Sequence, residues 1–288
     1  MELDQVAQTV LAIGLMIIMF GIGLSLSKAD FIAVLKFPRA VAAGLTAQFL
    51  GLPLAALIIT QLFQLSPEFA LGFMIIATSP GGATSNLFSF LMRGDVALSV
   101  SLTAIATVLS LFTIPVVLAY ASQLLLQNSQ LVALPIGRIF FPLLFLVLLP
   151  LILGMLIRSR KPGWAAGLQR PTASLSVLLL IFTVCYVFYL EQERFITYGG
   201  QLGWIVSLFF LTATLLGFLV AKAARLDLRQ QKTVVIEVGI QNGVQAIFIA
   251  TSPLMFADPV LAVPAVLYSI LMYLYIFVLF IILKFLRL

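Results

Sequence analysis

The sequence predicts an all-α membrane protein that crosses the bilayer nine times, with two of the nine spans broken in the middle. Three observations carry this. The 288 residues are 62% hydrophobic and 9% charged, with a mean hydropathy of +1.20, whereas a soluble domain carries roughly 25% charged residues. Nine apolar stretches stand out, at about 6–26, 40–63, 67–92, 96–124, 135–157, 172–190, 201–221, 233–251 and 259–283. Each is near the ~20 residues that a bilayer requires. Two of them, 67–92 and 233–251, hold glycine and polar side chains at their centres.

The connections between the spans set the orientation. One side receives Lys28, Lys36, Arg39, Arg93, Arg158, Arg160, Lys161, Arg170, Lys222, Arg225, Arg229, Lys232, Lys284 and Arg287, and the other only Arg138 and Arg194. Fourteen against two follows the rule that cytoplasmic connections are basic. The N-terminus is therefore expected outside and the C-terminus in the cytoplasm, with the protein multi-pass in the cell inner (plasma) membrane. The net charge of +6 is an orientation signal and implies no nucleic-acid partner. The acidic start, Met1-Glu2-Leu3-Asp4, is the wrong charge for a cleaved leader, so the first span is read as retained. The first connection, residues 28–38, reads as a short amphipathic helix in the interface or as a plain loop.

Composition excludes several functions. The chain has no histidine and one cysteine, Cys185, so imidazole metal sites, His-based triads and intrachain disulfides are ruled out. An intramembrane enzyme would need a nucleophile with its base, or paired carboxylates, at one depth. A single deep acid supplies neither, and the protein is read as no enzyme. A channel or scaffold has no need of broken helices.

The third span breaks at Pro80-Gly81-Gly82, where proline lacks an N–H and glycine tolerates unusual dihedrals. The eighth span carries Glu237, Gln241, Asn242 and Gln245, with Gly239 and Gly243 beside them. A carboxylate at that depth costs at least ~2.5–3.5 kcal/mol, and a bound cation is the simplest compensation. Both breaks lie ten or eleven residues from a basic connection, roughly 16 Å of helix and about half a bilayer. Similar sequence follows each, from Asp95 and from Asp258. Spans three and four thus pair with eight and nine as two copies running in opposite directions. Broken helices at matching positions of inverted halves point to a carrier's central site.

Polar residues cluster at those breaks. Ser85 and Asn86 follow the first, Glu237, Gln241 and Asn242 surround the second, Ser99 and Thr103 share one face of span four, and Gln48 interrupts span two. One carboxylate among amides and hydroxyls is a hard-oxygen set that suits an alkali cation, while divalent ions gather more carboxylates. Sodium fits, and a proton on Glu237 is the rival. The N-termini of the second half-helices, residues 83–86 and those around Asn242 and Gly243, favour negative charge. Two sodium ions with Glu237 sum to +1, which a monoanionic substrate would neutralise. Asp95, Asp227, Asp258, Glu191 and Glu193 lie near span ends and read as caps or solvated groups.

Three motifs, Ser79-Pro80-Gly81-Gly82-Ala83-Thr84-Ser85-Asn86, Arg93-Gly94-Asp95-Val96-Ala97-Leu98-Ser99 and Glu237-Val238-Gly239-Ile240-Gln241-Asn242, make nearly the whole chain similar to the bile acid:sodium symporter family. That resemblance implies one sodium site at Ser85, Asn86, Ser99, Thr103 and Glu237. A second would use Gln48, Glu237, Gln241 and the carbonyls of Val238 and Ile240. It implies crossed broken helices in a core domain, from about 40–124 and 201–283, and a panel domain, from about 6–26 and 135–190, in one transporter unit. Substrate would sit near Ala83, Thr84, Asn242 and Gly243. The implied activity is sodium-coupled symport of a small organic anion, bile acid-like or a carboxylate such as pantoate. The rival is a proton-coupled or exporting carrier related to arsenite or auxin efflux families, although arsenite carriers would place a cysteine near the first break. The chain departs from the family in lacking the first of the ten spans common in bacterial members, as animal members do. It also reads Ala83-Thr84 where Thr-Ala is usual, and Ile240 replaces the more common Met.

Overall fold

A computed structural model describes residues 2–125 and 135–285; of the basic residues used for orientation, Arg287 lies outside them. The described chain is helical, in the order α1 (Glu2–Ser25), α2 (Lys28–Ala33), α3 (Pro38–Thr46), α4 (Leu52–Leu62), α5 (Pro67–Thr78), α6 (Ala83–Leu91), α7 (Val96–Leu125), α8 (Ile136–Leu143), α9 (Leu149–Arg160), α10 (Pro162–Leu190), α11 (Gln192–Ala223), α12 (Leu228–Gly239), α13 (Gly243–Thr251) and α14 (Val263–Phe285). Among the described residues, seven helical stretches are long and apolar enough to cross a membrane. The expected third and eighth spans are each two shorter helices around a break.

These two broken elements match in length and punctuation. Each has a first half of 12 residues and a second half of 9. Ser66 caps α5 by accepting from Phe69 N, and Asp227 caps α12 by accepting from Gln230 N. The only non-glycine residues with positive φ in the described chain are Gln64, Arg93, Arg225 and Ala257. Gln64 and Arg225 turn the chain just before a first half, and Arg93 and Ala257 turn it just after a second half. Asp95 and Asp258 then accept from Leu98 N and Val260 N, so these three aspartates, read from sequence as caps or solvated groups, are caps.

The breaks themselves follow from sequence. Ser79, which precedes Pro80, is extended with ψ 143°, as the clash with the proline ring requires. Ile240 is likewise extended, with φ −99° and ψ 109°. Gln48 lies in a π-helical turn, Ala47–Gly51, that divides span two into α3 and α4. Pro53 follows this turn at the start of α4 and has no N–H for the regular ladder, so the widened turn absorbs the mismatch. Leu144–Leu148 is a second π-turn, followed in the same way by Pro150.

Two expected boundaries move. The helix of span six begins at Pro162 rather than about 172, and that of span seven at Gln192 rather than about 201. Both extensions mix charged, polar and small residues with only a few apolar ones, Trp164 and Leu168 in the first and Phe195, Ile196 and Tyr198 in the second, which lowers their mean hydropathy. Connection 28–38 is helical, as α2 followed by the 3₁₀ turn Val34–Lys36.

Packing places the breaks at the centre. All nine residues of α13 and ten of the twelve in α5 are buried, as expected for helices apolar on every side. Helix α5 packs against α4, α7, α13 and α14, and α12 against α11, α7, α6 and α3. Helices α1, α9 and α10 pack mainly on one another.

Candidate functional site at the crossing of the broken helices

Where the two breaks meet, backbone joins backbone. Asn242 N donates to Pro80 O at 2.8 Å and Gly82 N to Ile240 O at 3.3 Å, around an antiparallel bridge between Gly81 and Gln241. Groups that no helix could satisfy thereby satisfy one another.

Glu237 stands one turn before this bridge, 1% exposed. Its Oε1 accepts from Thr103 Oγ1 at 2.6 Å and its Oε2 from Ser99 Oγ at 3.2 Å. Ser85 Oγ and Asn86 Oδ1 each lie 3.4 Å from the Thr103 hydroxyl. All five residues expected at one cation site are therefore together, from α6, α7 and α12. Gly81 makes the approach possible, since a Cβ there would lie 2.4 Å from Glu237 Oε1.

Proton counting shows what the cluster suits. A hydroxyl carries one proton. That of Ser99 goes to Glu237, as does that of Thr103, and Ser85 donates to Gly82 O at 2.8 Å. With these three committed, the remaining lone pairs of six oxygens face one another and no cationic side chain. The sole ion pair among the described residues joins Arg194 to Glu191, elsewhere in the protein. Such an oxygen-rich, proton-poor pocket fits a small hard cation.

The other expected cation ligands are less fully joined. Gln241 Nε2 donates to Val238 O at 2.7 Å, while Ile240 O already accepts from Gly82 N. Gln241 Oε1 and both polar atoms of Gln48 are buried without a hydrogen-bond partner. An unpaired buried polar group costs ~1–3 kcal/mol, so these atoms carry an uncompensated cost in the protein alone. No hydrogen bond brings Gln48 to Glu237 or Gln241.

At the second half-helices, Asn242 caps α13, its Oδ1 accepting from Gln245 N at 3.1 Å. Thr84 Oγ1 lies 3.0 Å from Tyr273 OH. Gly243 abuts α14 so closely that a Cβ would overlap Ser269. Ala83 begins α6.

Sequence reasoning missed Thr233. Its Oγ1 accepts from Asp95 N at 2.8 Å and lies 3.2 Å from Asp95 O. Thr233 is four residues before Glu237 and Asp95 four before Ser99, so this contact is one turn below the Glu237–Ser99 bond on the same pair of helices. That equal spacing was the available signal. Tyr268, whose OH donates to Gly239 O at 2.8 Å, had none, because an aromatic in an apolar span reads as packing.

The fold and this site define a multi-pass membrane protein with a buried oxygen cluster where two interrupted helices meet. A profile described as the sodium bile acid symporter family matches residues 12–198, which includes the first break and stops short of Glu237. The chain is 32% identical over 254 residues to an uncharacterized sodium-dependent transporter, YocS, of Bacillus subtilis (strain 168), covering 88% of this chain and 76% of that one. It is 30% identical over 240 residues to the ileal sodium/bile acid cotransporter of Homo sapiens, covering 83% and 68%. It is 28% identical over 261 residues to a probable chloroplastic sodium/metabolite cotransporter, BASS1, of Arabidopsis thaliana, covering 90% of this chain but only 62% of that protein. The chain belongs to the sodium bile acid symporter family, a family of transporters and not of enzymes.

Proposed function

We propose that this protein is a sodium-coupled symporter of a small organic anion, working by alternating access. The observation that carries the reading is the Glu237 carboxylate, 1% exposed and met only by neutral hydroxyls. An ion removed from water costs several kcal/mol even after relaxation, and a cation beside it offsets that cost. One sodium ion would be held by Ser85, Asn86, Ser99, Thr103 and Glu237. The unpartnered oxygens of Gln48 and Gln241, with Glu237 and the carbonyls of Val238 and Ile240, would hold a second. A proton on Glu237 alone would leave those amides without a role, which favours sodium over a proton-coupled or exporting carrier.

The anion would sit by Ala83, Thr84, Asn242 and Gly243, at the N-terminal ends of α6 and α13, where the helix dipole favours negative charge. Coupling follows from electrostatics: without sodium, the substrate's charge and Glu237 repel at short range. We read the matched halves as inverted repeats in a nine-span chain. The core comprises α3–α7 and α11–α14, and α1 with α8–α10 form a panel, a division supported by the mutual packing of α1, α9 and α10. The basic connections favour the inner (plasma) membrane, with the N-terminus outside.

In proteoliposomes, uptake of a small carboxylate such as pantoate, or of a bile acid, should require sodium and fail when potassium replaces it at fixed pH. Glu237→Ala should abolish that uptake while the purified variant stays monodisperse. Undiminished uptake by the variant, or uptake driven equally well by a pH gradient without sodium, refutes the assignment.

A further inference from the structure

We propose that a groove between α3 and α11 binds an anionic phospholipid. The groove is shallow and open, with a volume of about 600 Å³, and is lined by Arg39, Ala42, Ala43 and Thr46 on one side and by Val220, Ala223, Ala224 and Arg225 on the other. The inference is independent of the sodium reading and needs only that the protein sits in a bilayer.

Three features point to this ligand. The first is shape: four alanines where the two helices meet leave an open groove along which a chain of methylenes can lie. The second is position. Arg39 is the second residue of α3, and Arg225 follows the end of α11 at Ala223, so both stand where an apolar stretch gives way to a polar connection. That is headgroup depth, with the alanines toward the acyl region.

The third is charge. Neither guanidinium has an ion-pair or hydrogen-bond partner among the described residues, where the sole ion pair is Arg194 with Glu191. Lys36, Lys222 and Arg229 are neighbours in sequence, and Asp227, two residues after Arg225, is engaged as the cap of α12. Basic pockets between membrane helices select anionic headgroups, and guanidinium matches phosphate geometry. Thr46 Oγ1, also without a hydrogen-bond partner, offers a hydroxyl to an ester oxygen.

Lipid here would touch the transport machinery indirectly, because α3 and α11 both pack against α12, the helix that carries Glu237.

Native mass spectrometry of detergent-purified protein with added phosphatidylglycerol or phosphatidylcholine tests this, with thermal unfolding as a second reading. Wild type should retain phosphatidylglycerol in preference to phosphatidylcholine and gain thermal stability from it alone. The double variant Arg39→Gln/Arg225→Gln should bind phosphatidylglycerol roughly 30-fold more weakly, about a factor of five per arginine. Ala42→Leu, which keeps both charges but fills the groove, should weaken it as well, and this second variant guards against loss of fold in the first. Equal retention of the two lipids, or unchanged phosphatidylglycerol binding in both variants, overturns the proposal. Stabilisation by inorganic phosphate to the same extent overturns the lipid as the source.

Discussion

Substituting alanine for Gly81 separates the proposed cation cluster from the fold. No glycine in the described chain has positive φ, so alanine is conformationally acceptable there. Its Cβ, however, would lie 2.4 Å from Glu237 Oε1, whereas ordinary contact begins near 3.4 Å. The carboxylate must therefore retreat by about 1 Å, the difference between those distances. Directed away from Thr103, that retreat would lengthen the Thr103–Glu237 bond from 2.6 Å to at most about 3.6 Å, beyond hydrogen-bonding range. A hydrogen bond to a charged group contributes ~1.5–3 kcal/mol, so the half-saturating sodium concentration should rise roughly 10- to 150-fold. The assay is a sodium titration of uptake in proteoliposomes, with size-exclusion chromatography as the control for folding. A monodisperse Gly81→Ala protein whose half-saturating sodium lies within about twofold of wild type would refute the placement of Glu237 against Gly81 as the centre of the site.

Thr103→Val should raise half-saturating sodium several times more than Ser99→Ala, because their bonds to Glu237 are 2.6 and 3.2 Å; equal effects would show that these distances do not govern affinity. Gln48→Leu removes two unpartnered buried atoms, each costing ~1–3 kcal/mol. It should therefore raise the sodium-free Tm while lowering the Hill coefficient for sodium to about one, and a Hill coefficient that stays at the wild-type value would remove Gln48 from the cation set. Thr233→Val leaves Asp95 N without its side-chain acceptor, and a net hydrogen bond of ~0.5–1.5 kcal/mol predicts half-saturating sodium up to about tenfold higher, with Thr233→Ser restoring it. An unchanged sodium dependence in Thr233→Val would reduce the contact to plain packing.

The breaks were legible in sequence because proline and glycine act through covalent geometry, which needs no tertiary context. The five-residue cluster around Glu237 was legible because a carboxylate in an apolar span must be compensated, and hydroxyls or amides at the same depth are few. Thr233 was lost for the opposite reason. A threonine in a helix has its own backbone to bond with, as Thr107 does with Thr103 O, so only the matched four-residue spacings of Thr233 to Glu237 and Asp95 to Ser99 mark the one that reaches across. The longer starts of α10 and α11 were missed because hydropathy measures the solvent that a residue prefers and carries no information about where a helix continues into polar surroundings. The groove between α3 and α11 required the structure, since its walls lie about 180 residues apart in sequence.

The backbone bridge at Gly81 and Gln241 has a mechanical consequence. Two amide-to-carbonyl bonds, Asn242 to Pro80 and Gly82 to Ile240, rivet the interrupted helices together at their weakest points. Separating them would strand four peptide groups in a dry interior, at ~1–3 kcal/mol apiece. The junction is thus stiff despite its glycines, and under the proposed alternating-access cycle displacements would fall to the helices around it. Hydrogen exchange at the amides of Gly82 and Asn242 should accordingly be among the slowest in the chain.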